Sequence, residues 1–183
     1  MIKRIFAILL AAGLGMSLLL QNTHAYDNRR DDVELFLYIS GLCEEYEIPL
    51  AMVLTVIEKE STWNAEAVNY NKTCFGLMQI HKINAGWLEE EHGITDLKDP
   101  YQNILAGIIM LAEYWDDYNA NPHLMLMCYN FGKPAAKNLW KKKIYSSQYS
   151  RWIVGRMGKI EAELEKNAYI EVPPEMTEAG ASA

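Results

Sequence analysis

From about residue 31 onward, apolar side chains recur three and four positions apart, the spacing that lines one face of an α-helix. No stretch alternates polar and apolar long enough to mark a strand, so the pattern predicts an all-α domain. Val33, Leu35, Phe36, Tyr38, Ile39 and Leu42 form the stripe of a first helix, with Asp31 or Asp32 as its cap and an end near Glu47. Pro49 suits the first turn of a second helix, which runs through Leu50, Val53, Leu54, Val56 and Ile57 to about Ser61. From Thr62 to Phe75 the chain turns polar, with Asn64, Asn69, Asn71 and Lys72. That segment reads as a structured loop, and such loops often carry function. Helices are then expected from Asn84 to His92, from Pro100 to Tyr118 after Asp99 as cap, from Pro122 to Asn130, from Pro134 to Lys142 and from Tyr149 to Asn167. Gly107, inside the long central one, points to close packing.

The two ends read differently. Lys3 and Arg4 precede an apolar run from Ile5 to Leu20, and Ala25 closes a short polar stretch after it. This is the layout of a secretory signal peptide, with cleavage expected after Ala25. The run of about 16 residues falls short of the ~20 that a spanning helix needs. At the other end, Pro173-Pro174 and the Ala/Gly/Ser finish predict a disordered tail. The chain therefore divides into an export signal over 1–25, one domain over 26–168 and a tail over 169–183.

Charge and cysteine content narrow the partners. Removing Lys3 and Arg4 takes the 17 basic residues to 15 against 24 acidic ones, and the formal net charge from −7 to −9. Nucleic acid is excluded as a partner on that balance. Lys141 to Lys143, the one basic run, reads as a solvated helix end, with carboxylates or phosphates of a partner as the alternative contact. Cys43, Cys74 and Cys128 are an odd number, so at most one bridge can form. Neither they nor the four histidines have metal-ligand spacing, and no metal or cofactor is expected. Cys43 and Cys128 read as small buried apolar residues.

One carboxyl stands out. At ~100° per residue the second helix places Leu50, Val53, Leu54, Val56 and Ile57 on one broad face, and Glu60 falls within it while Glu58 and Lys59 do not. A carboxyl where the core pattern expects an apolar side chain is partly desolvated, which raises its pKa and suits a general acid. A frayed helix end reaching water would give the same spacing. Two clusters downstream, Gly76-Leu77-Met78-Gln79-Ile80 and Cys128-Tyr129-Asn130-Phe131-Gly132, mix apolar residues with amides in a way unusual for a plain bundle.

Taken in order, these segments resemble the soluble-type lytic transglycosylases, whose catalytic domain has a goose-type lysozyme-like fold. Glu60-Ser61 is similar to the family's Glu-Ser pair, Gly76-Leu77-Met78-Gln79 to its Gly-Leu-Met-Gln motif, Asn103-Ile104-Leu105-Ala106-Gly107 to its Asn-Ile-x-x-Gly helix, and Cys128-Tyr129-Asn130 to its Ala-Tyr-Asn motif. The resemblance spans about Asp32 to Met157. It implies that Glu60 protonates the glycosidic oxygen between N-acetylmuramic acid and N-acetylglucosamine and then acts as base. The muramic 6-hydroxyl closes on its own anomeric carbon, with no second carboxylate. Gln79, Tyr129 and Asn130 are implied to line the sugar cleft, with Met78 and Ser61 beside them, Ser61 in a structural capacity. Trp63, Tyr70, Trp87 and Tyr149 are candidates for stacking on sugar rings or for the core.

The chain departs from the family pattern in places. Asn69, Tyr70 and Asn71 stand where a small residue is common. His81-Lys82 follows Ile80, and His81 is a candidate to face the cleft. Cys128 replaces the usual alanine, which allows a Cys74–Cys128 bridge or two free thiols. The implied partner is peptidoglycan, engaged by a monomer outside the cytoplasm, with a secretion or conjugation apparatus as a possible context. A hydrolytic muramidase would need a second carboxylate, for which Asp96, Asp99, Asp116 and Asp117 are the candidates, and a wall-binding or assembly protein would need no turnover.

Overall fold

The computed structural model describes residues 29–169, with side chains over 33–165. The expected export signal over 1–25 therefore lies outside the described residues, as does the expected tail beyond Tyr169. Seven α-helices are described: α1 Arg29–Glu45, α2 Leu50–Ser61, α3 Ala85–His92, α4 Pro100–Asp117, α5 Pro122–Phe131, α6 Lys133–Lys141 and α7 Gln148–Tyr169. None of them is long and apolar enough to cross a membrane. All seven match expected helices within a few residues. One cap differs: Asp31 and Asp32 lie inside α1, which starts at Arg29.

The sequence offered no sheet, yet a small one forms. β1 (Cys74–Phe75) pairs antiparallel with β2 (Ile80–His81), and Val68 bridges to Phe75. Two-residue strands are too short to leave an alternation. The ribbon is held from within by Asn69, whose Oδ1 accepts from the Thr73 and Cys74 N–H groups at 2.7 and 3.1 Å. Asn69 is thus a loop clamp, while Tyr70 stands 99% exposed at the turn.

α2 is the core helix. Ala51 through Ile57 are all buried, on every side of the helix, because α2 packs against both α1 and α7. The one polar member, Thr55, satisfies its hydroxyl on Ala51 O at 2.6 Å. Eight residues of α4 are buried as well, Asn103 and Gly107 among them. A Cβ on Gly107 would overlap the Met78 sulfur and come within 3.0 Å of the Met78 Cβ, so the glycine is what lets the ribbon lie flat on α4. Gly107→Ala is expected to cost about 1–3 kcal/mol by overpacking. In thermal denaturation the double variant with Met78→Ala should lose less than the two single changes added, since both act on one contact.

Candidate active site

Glu60 lies in the last turn of α2, half-buried, between exposed Lys59 and half-buried Ser61. The chain leaves the helix through two consecutive left-handed residues, Thr62 (φ 52°) and Trp63 (φ 63°), with the Thr62 N–H closing on Glu58 O at 3.2 Å. Such backbone costs about 1–2 kcal/mol per residue away from glycine, and here the Trp63 ring packs against the core. The abrupt exit keeps the ribbon close to Glu60. Lys59 points away, its ammonium 4.8 Å from the Trp152 ring centre. Glu58 pairs with Arg156 of α7 at 2.9 Å.

Burial pushes the Glu60 carboxyl above its usual range, opposed by the Tyr149 hydroxyl and the Lys59 charge. Tyr149, in the first turn of α7, donates to Glu60 Oε1 at 2.5 Å across 89 residues of sequence. With Oε1 occupied as an acceptor, the proton of the neutral acid belongs on Oε2. Tyr129 of α5 is the second phenol. Its hydroxyl donates to Met78 O at 2.8 Å, tying α5 to the ribbon. Burial and the negative charge of Glu60 raise both phenols well above their ordinary value, so each remains a neutral donor. The Cys74 thiol is also raised, first by burial and in part by Glu60, against a Thr73 hydrogen bond that lowers it.

The ribbon is fixed to α4 by one buried amide. Asn103 Oδ1 accepts from Met78 N at 2.8 Å, and its Nδ2 donates to Phe75 O and Leu97 O, both at 2.8 Å. A Cβ on Gly76 would lie 2.5 Å from Asn103 Cγ, and Gly76 is left-handed (φ 73°), so only glycine fits. The Gly-Leu-Met-Gln and Asn-Ile-x-x-Gly segments are therefore two halves of one joint, locked at Gly76–Asn103 and again at Met78–Gly107.

Among the residues expected to line the site, Gln79 is half-buried and held in a left-handed backbone (φ 49°). Its two amide hydrogens go to Ala67 O and Gly76 O at 3.0 and 2.9 Å, leaving its oxygen as the group to offer. Asn130 is exposed at the end of α5. Successive residues of that helix turn ~100°, which takes Cys128 to the interior, Tyr129 to the boundary and Asn130 to solvent. One of the expected contacts is corrected. Met78 is 0% exposed and packs under Gly107, so its side chain positions the ribbon and does not face a ligand. Ser61 donates into its own helix, to Ile57 O at 3.2 Å.

The remaining candidates separate in the same way. Trp63 and Trp87 pack at the edge of the core, and Trp87 meets His92 edge-on. His81 accepts from the Ile83 N–H at 3.1 Å and caps the short turn after β2. Asp99 caps α4 through the Gln102 N–H, Asp96 accepts from the Lys98 N–H, and Asp117 pairs with Lys133, all at 2.8 Å. Asp116 is exposed, and Lys59 is the ionic side chain whose charge acts on Glu60. The Cys74–Cys128 bridge is not formed. All three cysteines are free, because Cys128 faces the Met127, Ala136 and Trp140 cluster while Cys74 lies on β1. Among the described residues no group of three His, Cys, Asp or Glu side chains is disposed to hold a metal ion.

Tyr149 is what the sequence concealed. Its aromatic ring suggested stacking or core, and no local pattern reveals a hydrogen bond to a residue 89 positions away.

A helical domain carrying one desolvated carboxyl, with a phenol on it and an amide-bearing ribbon beside it, defines a lysozyme-like architecture. The chain belongs to the family described as Transglycosylase SLT domain, which matches residues 38–153. Its fold is similar to that of lytic transglycosylase Slt from Pseudomonas aeruginosa, determined as an inactive glutamate-to-glutamine mutant, at a TM-score of 0.61 and 18% sequence identity. That match covers 70% of this chain and 24% of the other, so the chain spans about a quarter of its neighbour.

Proposed function

We propose that this chain is a peptidoglycan lytic transglycosylase that cleaves the β-1,4 bond between N-acetylmuramic acid and N-acetylglucosamine without water, with Glu60 as acid and then base. The observation that carries the reading is Glu60 itself: a carboxyl raised by burial and held at Oε1 by Tyr149. A raised pKa lets the acid hold its proton to higher pH than a free glutamate does. Inactivation of the structural neighbour by a glutamate-to-glutamine change agrees with a carboxyl-dependent reaction.

In the first step Glu60 Oε2–H gives its proton to the glycosidic oxygen as the C1–O4 bond breaks, releasing the N-acetylglucosamine hydroxyl. In the second, the 6-hydroxyl of the muramic sugar bonds to C1 and its proton returns to Glu60. The product is a 1,6-anhydro end, and the acid is regenerated. Gln79 Oε1 and Asn130 are suited to sugar hydroxyl and acetamido groups. With residues 1–25 read as an export signal, the activity belongs outside the cytoplasm, remodelling the wall or opening it for a secretion or conjugation apparatus.

Mass spectrometry of muropeptides released by residues 26–183 tests the reading. Fragments lighter by one water than the hydrolytic products are expected. Reducing ends would instead mean a hydrolase, and no release would mean a binding protein.

A further inference from the structure

Tyr149 reaches Glu60 from the first turn of α7, and the way that turn is fixed leads to a residue outside the site. Ser147 precedes α7 and Ser150 lies within its first turn. The Ser147 Oγ accepts from Ser150 N at 3.1 Å and the Ser150 Oγ accepts from Ser147 N at 2.9 Å, a reciprocal cap around Tyr149. Ser150 is 0% exposed, and its hydroxyl makes two further contacts, to Ser147 O at 3.2 Å and to His123 Nδ1 at 3.1 Å. A hydroxyl has one proton and two lone pairs. Ser147 O also accepts the Arg151 N–H at 3.0 Å, so the Ser150 hydroxyl can turn its proton to that carbonyl and accept from Nδ1–H, or give its proton to a bare Nδ1; in either arrangement His123 holds it.

His123 is itself held. It lies in the first turn of α5, where Asn121 Oδ1 accepts from the His123 and Leu124 N–H groups at 3.1 and 3.2 Å. α5 packs along α7 and carries Tyr129 six residues further on. One helix thus reaches both phenols, Tyr149 through His123 and Ser150, and Tyr129 directly.

We propose that His123 is a positioning residue for the Glu60–Tyr149 pair, its Nδ1 hydrogen-bonded to the Ser150 hydroxyl and so locking the cap that aims Tyr149 at the carboxyl. Its kinetic consequence rests on Glu60 being the acid, whereas its structural consequence does not. Among the described residues Tyr149, Tyr129, Cys74 and Lys59 interact with Glu60, and a change at His123 leaves all four in the sequence. A shift in Glu60 titration then reports on the Tyr149 contact. Losing that contact removes the hydroxyl that lowers the carboxyl, so the titration should move to higher pH.

The test uses full-length protein with labelled glutamate carboxyls, followed by NMR, together with peptidoglycan turnover. His123→Leu should move the Glu60 titration upward, in the direction of Tyr149→Phe, and slow turnover by roughly tenfold. His123→Asn, whose amide nitrogen replaces Nδ1, should retain wild-type titration and most of the turnover. The double variant His123→Leu/Tyr149→Phe should be no worse than Tyr149→Phe alone. A folded His123→Leu with wild-type titration, or an additive double variant, would overturn the proposal. Should His123→Leu fail to fold, the Asn variant still decides, since a folded His123→Asn with a shifted Glu60 titration would overturn it as well. Full activity in Glu60→Gln would sink the proposed function alone, leaving the titration result to stand.

Discussion

Glu60→Gln is expected to lower muropeptide release by ~10²–10⁴-fold, the contribution of a positioned general acid, while making the folded protein more stable at neutral pH. The two effects share a cause. Burial raises the carboxyl of the folded chain above its unfolded value, so the folded state holds the proton more tightly. The stability this gives is fully present below the unfolded pKa and is lost as pH rises through the folded one. At neutral pH a part-buried carboxylate is then a cost that glutamine avoids, while the amide oxygen still accepts from Tyr149. Calorimetry across pH should show the variant ahead at neutral pH and the gap closing as the solution is made acidic. A variant no more stable than the wild type at neutral pH would mean that the Tyr149 bond outweighs burial, and that Glu60 is not poised as an acid.

Most of the helical framework was legible because it rests on local rules. Apolar spacing of three and four marks a buried stripe, and prolines at the starts of α4 and α5 mark first turns, whatever the rest of the chain does. Glu60 was legible for the same reason, as a carboxyl on an apolar stripe. The stripe understated the burial: α2 is covered on all sides because α1 and α7 both pack on it, and one sequence cannot show how many partners a helix has.

The site's joints were hidden because they are long-range. Gly76, Met78, Asn103 and Gly107 appeared as two unconnected motifs, although each half has its shape because of the other. Tyr149 looked like any aromatic of an amphipathic helix. The Ser147 to Ser150 spacing marks a helix start, but nothing in it says that a histidine from α5 completes the cap or that the tyrosine within it meets Glu60. Met78 erred in the opposite direction. Its motif suggested a place beside the ligand, whereas Leu77 and Met78 are both buried in the turn of the ribbon, Met78 against Gly107.

The joint yields the second large effect. Asn103→Leu keeps the approximate volume and removes both polar ends of the side chain, so Met78 N–H, Phe75 O and Leu97 O lose a partner together. An orphaned buried polar group costs about 1–3 kcal/mol, and with partial relaxation the total should reach about 4 kcal/mol, a large share of the 5–15 kcal/mol that holds a typical domain folded. For a domain of this size that corresponds to a fall in Tm of roughly 10 °C. Asn103→Asp should do as badly: its second oxygen would face two carbonyls where the amide now donates. Below the lowered Tm, turnover should still drop, because Met78 anchors Tyr129 through its carbonyl and leads directly into Gln79. Chemical denaturation of the two variants, paired with turnover at low temperature, separates these consequences. An Asn103→Leu protein within about 1 kcal/mol of wild type would show that the ribbon is held chiefly by Met78 against Gly107, and that the amide is incidental to it.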